Sequence, residues 1–323
     1  MAETLGSSDS IYHRLFAHPE MVADLLDHFL EPDALAELEL SGMRRHNSKF
    51  TARRGGERRR ADLVWEIPLR GGGSLFVLLI LEFQSLIDEW MALRLDVYTG
   101  LLYQQLVDER GLKAEQGLPP VLPIVLYNGS SRWNAASTLR DLIRLPDSSP
   151  LWKYQPEMRY YIIDEGRVSE ERLMHVPSLV AILFRMEHPG DPNAMMRAAQ
   201  DVSTWFRTHP DGPPVKRLFR ELLMTGLARL KLPDPLPPIP EDLQEMVNML
   251  ATHFEQWSNE LERKGHQKGR QEANVEILLQ LLQERFGVLP DSVRQQVNAA
   301  GLEDLTAWLG RLFKADSLQS IFK

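Results

Sequence analysis

Residues Leu75 to Ser85 read LFVLLILEFQS: seven apolar residues, then a single carboxylate at Glu82 and an amide at Gln84. An apolar run without alternation is the pattern of a strand covered on both faces. Upstream, Ala61 to Ile67 reads as another strand, and Arg70-Gly71-Gly72-Gly73-Ser74 between them has the chemistry of a hairpin turn. Folding that hairpin about Gly72 makes paired positions add to about 144 to 146, which sets Asp62 opposite or next to Glu82 or Gln84. Strand periodicity puts Glu82 and Gln84 on one face.

Working outward, Met91, Leu95, Tyr98, Leu102 and Leu106 follow steps of three and four, so a helix is expected from Asp88 to about Glu109. Val121 to Tyr127, VLPIVLY, is a short buried strand ended by Asn128-Gly129. Strand, helix, strand predicts a right-handed parallel crossover. Tyr160 to Ile163 offers a further strand, and Ser178 to His209 is helical in pattern. The N-terminal stretch Ile11 to Leu30 has helical spacing broken near Pro19, with Asp9 and Ser10 as candidate N-caps. The fold class is therefore mixed α/β.

Leu232 to Pro240 holds five prolines in nine residues and reads as an extended spacer. After it Met246, Val247, Leu250, Phe254, Trp257 and Leu261 form a helical stripe over 241–262, a candidate homo-oligomer face. It passes into a connector in which a Lys-Gly step recurs, at Lys264-Gly265 and Lys268-Gly269. The expected organisation is an α/β domain over 1–230, a proline-rich spacer and helical connector over 231–271, and a small helical module over 272–323.

Composition excludes whole classes. Of 323 residues, 43% are hydrophobic and 25% charged, the values of a globular chain of roughly two domains. No cysteine is present, so there is no disulfide framework, thiolate nucleophile or Cys-ligated metal. No apolar run approaches the ~20 residues of a membrane helix, and MAETLGSSDS lacks a signal-peptide layout; a cytoplasmic protein with no membrane partner is expected. There is no G-x-S-x-G, H-E-x-x-H or phosphate-loop motif. The aromatic residues read as dispersed, with no alternating basic and aromatic strand of the kind that stacks bases.

The net charge is −8, yet Arg44 to Arg60 holds eight basic residues and one acid, Glu57. Phosphate contact through Arg53, Arg54, Arg58, Arg59 and Arg60 is one reading of this run, and a solvated surface is the other. A carboxylate such as Glu82 on a strand fit for burial is costly unless paired, protonated or metal-bound. Asp62 and Glu82 converging beside Gln84 would supply the oxygen ligands of a hard cation, Mg2+ or Mn2+. Alternatively Asp62 pairs with a neighbouring arginine and Glu82 merely ends its strand. The basic run beside the acids favours phosphodiester chemistry.

The constellation of Asp62, Glu82-Phe83-Gln84-Ser85 and the helix after Asp88 resembles the Rpn family of recombination-promoting nucleases and putative transposases. The likeness also covers Ser8-Asp9-Ser10, Leu15-Phe16, Arg60-Ala61-Asp62-Leu63-Val64, Met91, Arg94, Tyr98, Leu122 to Gly129 and Trp133. That family belongs to the PD-(D/E)xK nuclease superfamily. The resemblance implies a restriction-endonuclease-like mixed sheet flanked by helices, Mg2+ dependence and a DNA substrate. It makes Asp62 and Glu82 the metal ligands and sets Gln84 where the superfamily usually carries lysine. An amide cannot accept a proton from water, so Gln84 would orient a water while the metal lowers its pKa. Asp9, Arg94 and Tyr98 are supporting candidates, and Ser8-Asp9 departs from the family's usual His-Asp opening. The expected activity is a Mg2+-dependent DNA endonuclease, with a DNA-binding protein carrying a decayed centre, or an oligomeric assembly protein, as alternatives.

Overall fold

The structure, a computed structural model, describes residues 8–47, 53–54, 57–58, 63–83, 87–210, 212, 214–229, 238–312 and 317–322; the side chains of 53–54, 57–58, 192 and 256–269 are outside the description. Two compact units divide at Val247, Met1–Val247 and Asn248–Lys323.

Among the described residues the first unit has seven strands: β1 (Arg44–His46), β2 (Arg53–Arg54), β3 (Glu57–Arg58), β4 (Leu63–Pro68), β5 (Ser74–Glu82), β6 (Val121–Tyr127) and β7 (Tyr161–Asp164). Five form one mixed sheet in the order β1-β4-β5-β6-β7, and β2 and β3 form a separate ribbon. Helices α1 (Ser8–Leu15), α2 (Pro19–Phe29), α3 (Pro32–Leu35), α4 (Met91–Arg110), α5 (Glu170–His175), α6 (Leu179–Glu187), α7 (Pro192–Thr208) and α8 (Lys216–Arg229) complete it, with the start of α9 (Leu243–Phe286). The mixed α/β class is what the sequence predicts, and the break between α1 and α2 falls at Pro19.

β5 lies inside the sheet, and its residues from Phe76 to Ile80 are fully buried. That explains its unbroken apolar run, since each such side chain contributes about 1.5–3 kcal/mol when removed from water. Phe76, Leu78 and Ile80 pack on Met91, Leu95, Tyr98, Leu102 and Leu106 of α4. The helix ends where Gly111 adopts a left-handed conformation, φ 59°, and its N–H reaches the Val107 carbonyl. β5 and β6 then pair in parallel, as do β6 and β7.

The hairpin register differs from the expectation. Leu63 pairs with Leu79 and Pro68 with Ser74, so partners add to 142. The turn closes earlier than a Gly72-centred one: Leu69 N–H bonds the Gly73 carbonyl at 3.1 Å, and Gly72 and Gly73 take the positive φ values of 95° and 80°. Asp62 lies outside the described residues.

Part of the helical stripe expected to pair copies of the chain is covered within one chain. Leu243, Met246 and Val247 are buried, Ser203 donates to Gln244, and Lys216 pairs with Asp242 at 2.8 Å. α9 is one helix of 44 residues, Leu243–Phe286, that runs through both Lys-Gly steps. It is followed by α10 (Asp291–Ala299), α11 (Leu302–Leu312) and α12 (Leu318–Ile321). Leu278, Leu282, Val297, Leu305 and Trp308 form the second unit's core. Among the described residues no helix is long and apolar enough to cross a membrane.

Candidate functional site

Glu82 is the last residue of β5 and is 5% exposed. The β5 alternation aims it at the face that carries α4, where Arg94 Nη1 donates to its Oε2 at 3.3 Å. Arg94, itself mostly buried, also lies over the Tyr98 ring, 5.4 Å from its centroid. Glu82, Arg94 and Tyr98, three of the residues singled out in the sequence, are thus brought together. The guanidinium offsets part of the cost of burying the carboxylate.

Glu82 is in register with Tyr127, and Tyr127 with Asp164, so the final residues of three parallel strands form a row along one sheet edge. The Tyr127 hydroxyl is shifted up by burial first and then by the negative charge of Asp164 and Glu82. A Cβ at Gly129 would overlap the Tyr127 ring, which accounts for glycine there. Asp164 accepts the Trp133 backbone N–H at 3.0 Å. Two strand spacings, roughly 10 Å between backbones, separate it from Glu82. The β6 end is fastened by Asn128 N–H to the Glu82 carbonyl, at 3.1 Å.

On the opposite face Tyr12 of α1 packs edge-on against Phe83, with ring centroids 4.7 Å apart, and donates to Glu165 Oε2 at 3.0 Å. Burial raises both groups, so Glu165 holds its proton well above the ordinary carboxylate range. The end of β5 is therefore held from both faces of the sheet.

The other predicted residues stand apart. Asp62, Gln84, Arg59 and Arg60 lie outside the described residues. Arg53, Arg54 and Arg58 are on the β2–β3 ribbon, where Arg53 faces Arg58 and Arg54 faces Glu57, and their side chains are not described. Asp9 is on the exposed side of α1, 3.6 Å from His13 one turn on. Among the described residues no group of three or more acidic or histidine side chains could hold a metal. Glu82 is the described member of the predicted ligand set, whose donors are all oxygens, the chemistry of a hard divalent cation.

Tyr127, Asp164, Tyr12 and Glu165 were not picked out from the sequence. A signal for two of them existed: Tyr127 ends the run VLPIVLY and Asp164 ends YIID, the position Glu82 occupies in its own run.

A family model described as "Putative transposase, YhgA-like" matches residues 7–210, more than half of the chain. No curated protein and no solved structure matches the chain.

Proposed function

Because the chain belongs to the YhgA-like putative transposase family, we propose that it is a Mg2+- or Mn2+-dependent DNA endonuclease serving recombination or transposition. The observation that carries the reading is Glu82: a buried carboxylate at the carboxyl end of the central strand, set beside a guanidinium at the sheet edge. Asp62 and Glu82 would hold the cation. When bound, it would neutralise the scissile phosphate and make water a stronger acid there.

The chain's own groups have separate tasks in this scheme. Glu82 presents oxygen donors from a strand end that Asn128 and α4 keep in place, and Arg94 sets the orientation of that carboxylate. Gln84 orients the attacking water through its amide. Arg53, Arg54, Arg58, Arg59 and Arg60 neutralise backbone phosphates without reading bases.

One observation favours a second reading, a DNA-binding protein whose cutting centre has decayed. The contact with Arg94 supplies Glu82 with a cationic partner from the protein itself. Incubating the full chain with supercoiled plasmid in Mg2+, in Mn2+ and in chelator separates the two. Metal-dependent nicking that disappears in Glu82→Gln supports the nuclease; plasmid retention without nicking under every condition supports the binding protein.

A further inference from the structure

The connection between β6 and β7 leaves the carboxyl end of β6 and packs on the sheet face that carries Glu82. Trp133, Leu139 and Tyr160 join the core cluster of that face, with Leu142, Ile143 and Met158 beside them. From this seated segment a short turn, Pro150–Tyr154, stands out with the sequence PLWKY. Two large apolar side chains on it are left in water, Leu151 at 53% and Tyr154 at 71% exposure.

The turn is held by its own hydrogen bonds. Ser149 caps it through its side chain, Trp152 Nε1–H donates to the Pro146 carbonyl at 2.9 Å, and Gln155 donates to the Leu151 carbonyl at 3.2 Å. Each aromatic ring carries a cation. The Arg140 guanidinium lies 3.9 Å from the centroid of Trp152, and the Lys153 ammonium lies 4.9 Å from that of Tyr154. Arg144 is exposed on the same connection. Acidic residues are present too: Asp147 is 4.0 Å from Arg140, and Asp141 is bonded by Thr138 at 2.6 Å.

An exposed ring accompanied by an ammonium is what an unpaired nucleotide requires, a surface for the base and a charge for its phosphate. A protein partner would favour apolar contact with charges moved to the rim, whereas here cations sit on the rings themselves. We propose that the Pro150–Tyr154 turn is a stacking platform for unpaired nucleotides, with Tyr154 taking a base and Lys153, Arg140 and Arg144 facing the backbone. The inference rests on the DNA-cutting reading and adds the form of the substrate: DNA with a single-stranded stretch or a flipped base.

Fluorescence anisotropy in chelator, with labelled oligothymidylate and a labelled duplex of mixed sequence, tests binding without any need for cutting. Tyr154→Ala is expected to weaken oligothymidylate binding about fivefold or more and duplex binding by less than about twofold. Tyr154→Phe keeps the π face and should bind as the wild type does. Lys153→Ala should lower the single-strand salt slope by about 0.7. Tyr154 is largely exposed, so these changes leave the core untouched. Unchanged oligothymidylate binding in Tyr154→Ala, or equal losses on both probes, overturns the platform and leaves the nuclease reading standing. A wild-type chain that binds neither probe overturns both.

Discussion

The two ends of α4 carry the same pair of residue types, a strand glutamate and a helix arginine, and they differ in how the glutamate is partnered. At the C-terminal end Glu66 of β4 receives Arg110 at 2.7 Å and Arg44 at 3.0 Å on one oxygen. Burial alone would raise its pKa, but these two guanidinium groups outweigh it and hold the group at about 2. At the N-terminal end Glu82 has Arg94 at a longer 3.3 Å, on the last residue of a strand rather than inside a ladder. A carboxylate has about four acceptor sites. Where short, charge-assisted bonds from two cations lock it, it serves the fold; at the strand end, under the reading proposed above, the carboxylate would take a further cation.

The largest effect expected from this contrast is on cutting. Glu82→Gln should reduce metal-dependent plasmid nicking by a factor of about 100 or more, as loss of a metal ligand does, whereas Glu66→Gln should leave the rate per folded molecule unchanged. Nicking rates normalised to the folded fraction from circular dichroism give the comparison. Equal losses would erase the distinction between the two ends.

The next effect is on stability and runs the other way. Arg110→Ala removes one of two cations from a buried carboxylate and should cost about 1–3 kcal/mol in urea unfolding. Arg94→Ala should cost a similar amount in chelator and less in Mg2+, because an ion at Glu82 would replace the missing charge. An Arg94→Ala chain indifferent to Mg2+ would contradict that substitution of one cation for another.

The acid limb sharpens the same contrast. Glu66 titrates at about 2 in the folded chain against an ordinary 4.5, so its contribution is complete above about pH 4.5 and is lost as the pH falls toward 2. Glu66→Gln should therefore flatten the decline in stability across that window, measured by urea unfolding at a series of pH values.

The smallest effect concerns the basic run. Arg58→Ala, Arg59→Ala and Arg60→Ala should each reduce the log–log salt slope of duplex binding by about 0.9, the amount expected when one phosphate is no longer neutralised. A slope unchanged in all three would return these residues to solvated surface.

Much of the architecture was legible in the chain because burial writes itself into periodicity. LFVLLILE and VLPIVLY read as covered strands, and Met91 to Leu106 as a helix with one buried face. The hairpin register was not legible, since three consecutive glycines permit more than one turn and the choice rests on which of them takes a positive φ. Glu82 stood out as a lone charge in an apolar run. Arg94 as its partner depends on α4 running back along β5, a tertiary fact, and Asp164 joined the row only once β7 was placed in register with β6. The Trp152-Lys153-Tyr154 turn was not legible either, because aromatic residues dispersed along a chain say nothing about which of them stay in water.

The proposal that Glu82 would hold a cation while Glu66 serves the fold is tested most directly by calorimetric titration of Mn2+ or Mg2+ into the full chain. The wild type and Glu66→Gln should bind the ion with the same affinity, and Glu82→Gln should lose at least about tenfold. Binding by Glu82→Gln equal to that of the wild type, or an equal loss in Glu66→Gln, would contradict it.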